Sequence, residues 1–95
     1  MTSIDFSNGV AIPEKVLVRQ LDDEIVILDL ASESYFGLDE VGTAMWNEMT
    51  NADSIEHAYQ SLLEQYEVEP ETLRADMQGL LQQLIEKQLL EVRVT

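Results

Sequence analysis

A change in hydrophobic periodicity, from strand-like in the first part of the chain to helical in the second, limits the possible folds more than any other property of the sequence. Between Val16 and Leu38 the sequence reads as short β-prone runs, and from Asp39 onward apolar residues recur at helical spacing. Strands that precede a block of helices, rather than alternating with them, indicate an α+β fold. At 95 residues the chain has room for one domain.

Three strands are predicted in the first half of the chain. The runs VLVRQL (16–21) and EIVILDL (24–30) flank Asp22-Asp23, which suits a tight turn, so they form a hairpin. The second run is apolar on both faces and is therefore the central strand. After the turn residues ASES, a short third strand over 34–38 is predicted at the edge of the sheet.

Three helices are predicted to follow. Asp39 is the expected N-cap of a helix that ends near Thr50, and a second helix spans Ser54 to Glu67. Pro70 suits the first turn of a third helix that ends near Gln88. The terminal run LLEVRV is β-prone and either pairs with the first predicted strand or covers the sheet. Residues 1–15 lack sustained periodicity and are expected to form a flexible arm before a domain over 16–95.

The third helix carries the most informative pattern. Leu73, Met77, Leu80 and Leu84 cluster within one narrow face, which is the expected core face. Leu81 and Ile85 widen this stripe on one flank only, beside Arg74 and Gln78, whereas Asp76, Gly79 and Gln83 occupy the other flank. Apolar stripes are usually core, so Leu81 and Ile85 either pack against the sheet or line a groove.

The charge and the residue inventory exclude several functions. Nineteen acidic residues against five basic ones give a net charge of -14, which repels nucleic acid and anionic membranes, and neither is an expected partner. The first residues lack the pattern of a signal peptide, so a cytoplasmic location is expected. With no Cys and a single His57, the sequence predicts no enzyme, no metal site and no cofactor.

One local string suggests an alternative function. Ala52-Asp53-Ser54-Ile55 resembles the Asp-Ser-Leu site at which acyl or peptidyl carrier proteins receive phosphopantetheine, and the chain is similarly small and acidic. Carriers of that type are helical bundles, however, and three strands are predicted here. Ser54 also has a structural role available to it as a helix N-cap.

A longer resemblance covers most of the chain. The strings LDLASESYFGLDEVGTAMW, LLEQYEV and DMQGLLQQLIEKQLLE, taken in order, resemble the PqqD family of small peptide-binding proteins of ribosomal peptide modification. Leu28-Asp29-Leu30, Tyr35-Phe36, Leu38 and Trp46 are most similar to the precursor-recognition proteins of lasso-peptide pathways. The sequence departs from the family at Glu86-Lys87-Gln88, where such proteins often have a glycine before the last Leu-Leu.

The resemblance implies a fold, a function and a site. The fold is winged-helix-like, with a three-stranded antiparallel sheet followed by three helices. The function is non-enzymatic: the leader segment of a precursor peptide adds to the sheet as a strand and is presented to a modifying enzyme or leader peptidase. The expected peptide-binding residues are the edge strand and one flank of the third helix: Ser34, Tyr35, Phe36, Gly37, Leu38, Arg74, Gln78, Leu81 and Ile85.

Winged helices also bind DNA, and the charge distribution decides between the two functions. Residues 39–76 hold ten acidic side chains and one basic one, across the helices that would have to enter a DNA groove. DNA binding is therefore excluded, whereas a leader that carries Lys or Arg is attracted.

Overall fold

The structure, a computed structural model, describes residues 4–94. In chain order its elements are β1 (Gly9–Ala11), β2 (Val16–Leu21), β3 (Glu24–Asp29), β4 (Ser34–Leu38), α1 (Glu40–Asn51), α2 (Ile55–Gln65), α3 (Pro70–Glu86) and β5 (Glu91–Arg93). The predicted arrangement of a three-stranded antiparallel sheet followed by three helices is confirmed. None of the helices within this described range is long and apolar enough to cross a membrane.

The main sheet has the order β2-β3-β4, so β3 is central and β4 lies at an edge, as predicted. Leu21 pairs with Glu24 across the Asp22-Asp23 turn. Asp22 adopts a φ of 56°, in the left-handed region that short polar residues tolerate better than most. This turn aligns β2 and β3, and the turn before Ser34 then aligns β4 with β3.

The helices begin at the caps that the sequence predicts. The Asp39 side chain accepts a hydrogen bond from a backbone amide in the first turn of α1, and the Ser54 hydroxyl does the same for α2. Pro70 occupies the first turn of α3, where its missing N–H costs no hydrogen bond. Two C-termini come slightly earlier than expected, because α2 ends at Gln65 and α3 at Glu86.

The core lies between the inner face of the sheet and the three helices. Ile25 and Ile27 of β3 are almost completely buried there, and Thr43 of α1 closes one end of the sheet. Its hydroxyl accepts a hydrogen bond from the Ile25 amide at 3.0 Å and donates to the Leu38 carbonyl at 3.3 Å. The helices contribute Met45, Trp46, Met49, Ile55, Ala58, Tyr59, Leu62, Leu73, Met77, Leu81 and Leu84.

The buried stripe of α3 is rotated relative to the predicted one. Leu81 is fully buried, whereas Leu80, which the sequence pattern places on the core face, is only partly buried. This corrects the expectation that Leu81 lines an external groove. The physical reason is that α3 packs against α2, and the core cluster that they share extends onto the flank that carries Leu81.

The N-terminal segment differs from the flexible arm that the sequence suggests. β1 pairs antiparallel with β5, so the C-terminal β-prone run pairs with Gly9–Ala11 rather than with the first predicted strand. Phe6 and Val10 are buried in the core, and the Phe6 carbonyl accepts a hydrogen bond from the Glu56 amide at 2.8 Å. Residues 1–3 of the predicted arm lie outside the described residues.

Glu86-Lys87-Gln88, where the sequence lacks the glycine that is frequent in the family, lies at the C-terminal end of α3. Gln88 has a φ of 61°, and its amide donates to the Ile85 carbonyl at 3.0 Å. The Leu89 amide donates to the Leu84 carbonyl at 2.8 Å. These two bonds form the Schellman motif, whose left-handed position usually holds glycine. Gln88 therefore occupies a position where its Cβ is unfavourable.

Replacing Gln88 by glycine is expected to stabilise the protein by about 1 kcal/mol, because glycine has no Cβ to strain the left-handed conformation. The free energy of unfolding, measured in urea, tests this. Gln88→Ala is the matched control: it also removes the amide side chain but keeps the Cβ, and it should give no comparable gain. A glycine variant no more stable than the alanine variant would contradict this account.

Candidate functional site

The free edge of β4 presents backbone hydrogen-bonding groups at two positions. Directly after β3, the Leu30 amide donates to the Lys15 carbonyl at 2.9 Å. Because hydrogen bonding alternates along a strand, residues 28, 26 and 24 of β3 also bond toward β2. Residues 25, 27 and 29 therefore bond toward β4, where they pair with Leu38, Phe36 and Ser34. The residues between them, Tyr35 and Gly37, direct their N–H and C=O groups away from the sheet.

The side chains of β4 alternate between the two faces of the sheet. Phe36 is half-buried on the inner face, and Leu38 is buried at the end of the strand. Tyr35 is 76% exposed on the outer face, and Gly37 has open space around the position of a side chain. An incoming backbone therefore meets no side chain at Gly37 and an aromatic surface at Phe36.

A cleft of about 380 Å³ lies between β4 and the C-terminal end of α3. It is lined by the first residues of β4, by Asp29 and Ser32, and by residues 86–89 at the C-terminal end of α3. The Lys87 ammonium lies 5.7 Å from the centre of the Phe36 ring. Gln83 and Leu80 precede Lys87 by one and two helical turns, so they share the face of α3 that is directed toward β4.

A buried carboxylate holds one end of this cleft together. Asp29 accepts hydrogen bonds from the Ala31 and Ser32 amides at 3.0 and 3.4 Å and pairs with Lys15 at 3.2 Å. Lys15 also donates to the Gln88 side chain at 3.1 Å, so the network reaches the end of α3. Burial disfavours the ionised carboxylate, but these hydrogen bonds together outweigh that effect and lower the pKa of Asp29 below its ordinary value of 3.8.

The predicted residues of α3 do not join β4 in this site. Arg74 lies on the opposite side of the helix, where it pairs with Glu56 at 2.8 Å. Its guanidinium also covers the rings of Phe6 and Tyr59, at 4.5 and 4.4 Å from their centres. Hydrogen bonds from Gln60 and Arg74 lower the pKa of Glu56, which keeps the pair ionised. Arg74 thus holds the N-terminal segment against α2 and α3.

Ile85 and Gln78 also lie on the flank of α3 that turns away from β4. Ile85 is half-buried beside Pro13, Lys15 and Val92, near the β1–β5 ribbon. Gln78 is half-buried one helical turn from Arg74. On the other flank, Lys87 approaches Phe36 of β4, and Gln83 precedes it by one helical turn; the sequence pattern singles out neither residue. The sequence marks this flank only indirectly: Asp76 and Gln83 are polar residues next to the predicted core face, and both are exposed in the structure.

The residues of the carrier alternative have structural roles. The Ser54 hydroxyl accepts a hydrogen bond from the His57 amide at 3.1 Å and so caps α2. His57 is exposed on that helix. Among residues 4–94, the Asp, Glu and His side chains form no group of three that suits a metal ion.

Comparisons with known proteins agree with this architecture. Residues 24–90 match the family model described as coenzyme PQQ synthesis protein D (PqqD). The structure of TbiB1 in complex with the TbiA(beta) leader peptide is 34% identical, with a TM-score of 0.78 over 84% of this chain and 93% of that one. Lasso peptide synthetase B1 complexed with the leader peptide is 24% identical, with a TM-score of 0.79 over 87% and 98%. No curated protein sequence matches the chain.

Replacing Asp29 by asparagine is expected to reduce stability at neutral pH, because the ion pair with Lys15 is lost. The lowered pKa of Asp29 means that the wild-type carboxylate contributes its stabilisation above pH 3.8 and loses it as the pH falls through its value in the folded state. The difference in unfolding free energy between the two proteins should therefore shrink at acidic pH. Urea unfolding at neutral pH and below pH 3.8 measures it. A difference that is constant with pH would contradict a role for the charge.

Proposed function

Because the chain belongs to the PqqD family, we propose that it binds the leader segment of a ribosomally made precursor peptide as an added strand beside β4. The two similar solved structures are complexes with leader peptides, and one of them is 34% identical in sequence to this chain. The observation that carries the proposal is the open edge of β4, with the backbone groups of Tyr35 and Gly37 directed outward next to a cleft.

Strand addition uses both parts of this arrangement. The outward N–H and C=O groups supply affinity that does not depend on the peptide sequence, and the cleft selects among side chains. Since side chains alternate along a strand, every second leader residue enters the space between β4 and α3. Ser34 to Phe36 form one wall of the cleft, and residues 86–89 at the end of α3 form the other. Gln83 precedes Lys87 by one helical turn and extends this second wall along the helix.

The chemistry of the cleft changes along its length. Phe36 offers an aromatic surface, and Leu80 shares its helix face with Lys87, so an apolar leader side chain is expected between β4 and α3. The end near Ser32 and Ser34 is polar, and the two hydroxyls lie 2.6 Å apart. A leader residue with a hydrogen-bonding side chain is expected at that end.

The protein acts by holding the leader rather than by breaking a bond. A bound leader keeps the attached core peptide close to any modifying enzyme or leader peptidase that also contacts this protein. The second encounter then proceeds at an effective concentration on the order of millimolar for a short flexible link. The net charge of -14 accelerates capture of a leader that carries Lys or Arg, an effect that added salt reduces.

Gly37→Pro is the first test of strand addition. Proline removes the outward N–H at a position where an edge strand tolerates it, so the β3–β4 pairing stays intact. Loss of one backbone hydrogen bond and crowding of the added strand should weaken leader binding by about tenfold or more. Isothermal titration with the precursor leader encoded beside this gene measures the affinity.

Gly37→Ala is the matched control. Alanine keeps the N–H, and its Cβ meets open space in the unbound protein, so stability should not change. If the proline variant is folded and binds the leader as tightly as the alanine variant, strand addition at β4 is wrong.

A second pair of variants identifies the wall of α3 that faces the leader. Gln83→Trp places a bulky ring on the exposed flank directed toward β4, and it should block the cleft and weaken leader binding by about tenfold or more. Gln78→Trp places the same ring on the opposite flank and should leave affinity unchanged. The reverse result, in proteins with unaltered melting midpoints, would assign the leader to the flank of Arg74 and Ile85.

A further inference from the structure

A second cleft, which is apolar, lies on the helical side of the molecule and shares no lining residue with the cleft beside β4. It has a volume of about 130 Å³ and is enclosed by α1, the end of α2 and the start of α3. Its floor consists of the buried side chains of Met45, Leu62 and Leu73. The volume is close to the roughly 150 Å³ that accommodates benzene in an engineered cavity, so one Leu, Met or Phe side chain fits.

The rim of this cleft is apolar and exposed. Val41 is 63% exposed, Tyr66 is 50% exposed and Val68 is 41% exposed, and all three line the opening. These side chains surround a common depression rather than being scattered over the surface. A contiguous exposed apolar patch with a polar surround marks an interaction site more often than an accident of composition.

The surround is negatively charged throughout. Glu40 lines the cleft itself, and Glu64, Glu67 and Glu69 flank Tyr66 and Val68 in the sequence and are exposed. Between residues 20 and 73 the sequence contains no Lys or Arg. The ion pairs among the described residues join Lys15 to Asp29 and Arg74 to Glu56, so the carboxylates around the cleft keep their charge available to a partner.

We propose that this cleft docks a basic surface of a partner protein, which inserts one apolar side chain between Val41, Tyr66 and Val68 and places Lys or Arg over the surrounding glutamates. Charge complementarity selects this occupant. A second copy of the chain would bring the same acidic rim against itself, and nucleic acid would be repelled. The proposal does not depend on leader binding, because the two clefts have no residue in common.

A designed peptide that carries the two features of the proposed partner surface serves as the probe. It is a helical peptide of Ala and Lys with one central Phe, and its comparison is the same peptide with Ser in place of Phe. Amide chemical shifts of the labelled protein should move at residues 40–45 and 62–73 on addition of the Phe peptide. The Ser peptide should bind about tenfold more weakly, because it cannot fill the cleft.

Matched variants separate the cleft from general charge attraction. Val68→Ser should weaken binding of the Phe peptide by about tenfold, whereas Leu30→Ser should have no effect. Leu30 is the matched aliphatic control, since it is 59% exposed and follows the end of β3 that is opposite Ile25, the residue bonded to α1. Glu67→Gln combined with Glu69→Gln should reduce both the affinity and its dependence on salt, and Glu14→Gln with Glu33→Gln, two exposed carboxylates that line neither cleft, should have a much smaller effect.

Three outcomes would overturn the proposal. Equal binding of the Phe and Ser peptides, or equal binding to wild-type and Val68→Ser proteins of unchanged melting midpoint, would reduce the effect to unspecific charge attraction. Sedimentation that shows a dimer abolished by Val68→Ser would make this face an interface between copies of the chain. A folded Gly37→Pro protein that binds the leader as tightly as Gly37→Ala would overturn strand addition at β4 but leave the peptide result unchanged, so the two proposals are tested separately.

Discussion

The register of the central strand β3 is the constraint on which the rest of the structure depends. Ile25 and Ile27 are almost completely buried against the helices, and a slip of one residue would expose both of them. The same register decides which backbone groups of β4 bond inward and which point outward. The open edge at Tyr35 and Gly37 is therefore a direct consequence of how the core buries β3, and it needs no separate structural device.

The cleft beside β4 is assembled from distant parts of the chain by polar contacts at one end. Asp29 closes β3, and through Lys15 it is connected to Gln88 after α3. Gln88 adopts the left-handed conformation that ends the helix and redirects the chain toward β5. Since both walls of the cleft are attached to this network, its width is set before a peptide arrives, which lowers the entropic cost of binding.

The charges and the exposed apolar side chains are distributed in a way that suits two simultaneous contacts. The edge of β4 and the end of α3 form the proposed leader surface, and Val41, Tyr66 and Val68 form an apolar opening elsewhere, within an acidic surround. The proposed function, in which the protein presents a bound leader to an enzyme, requires that both partners be held without overlap. The absence of shared residues between the two clefts satisfies that requirement physically.

Local chemistry in the sequence determined β2, β3, β4 and the three helices, because a cap such as Asp39 or Ser54 and the hydrophobic pattern of β3 act over a few residues, but it did not indicate β1. Helical angles likewise placed Arg74 and Gln83 on opposite flanks of α3, although the buried stripe is rotated to include Leu81 in place of Leu80. Which neighbour each flank meets was decided only by tertiary structure: the N-terminal segment, through Phe6, covers the flank of Arg74 and leaves the flank of Gln83 to face β4. No local pattern reveals this, because the strand that holds the N-terminal segment in place comes from the far end of the chain and the pairing exists only once the core has formed.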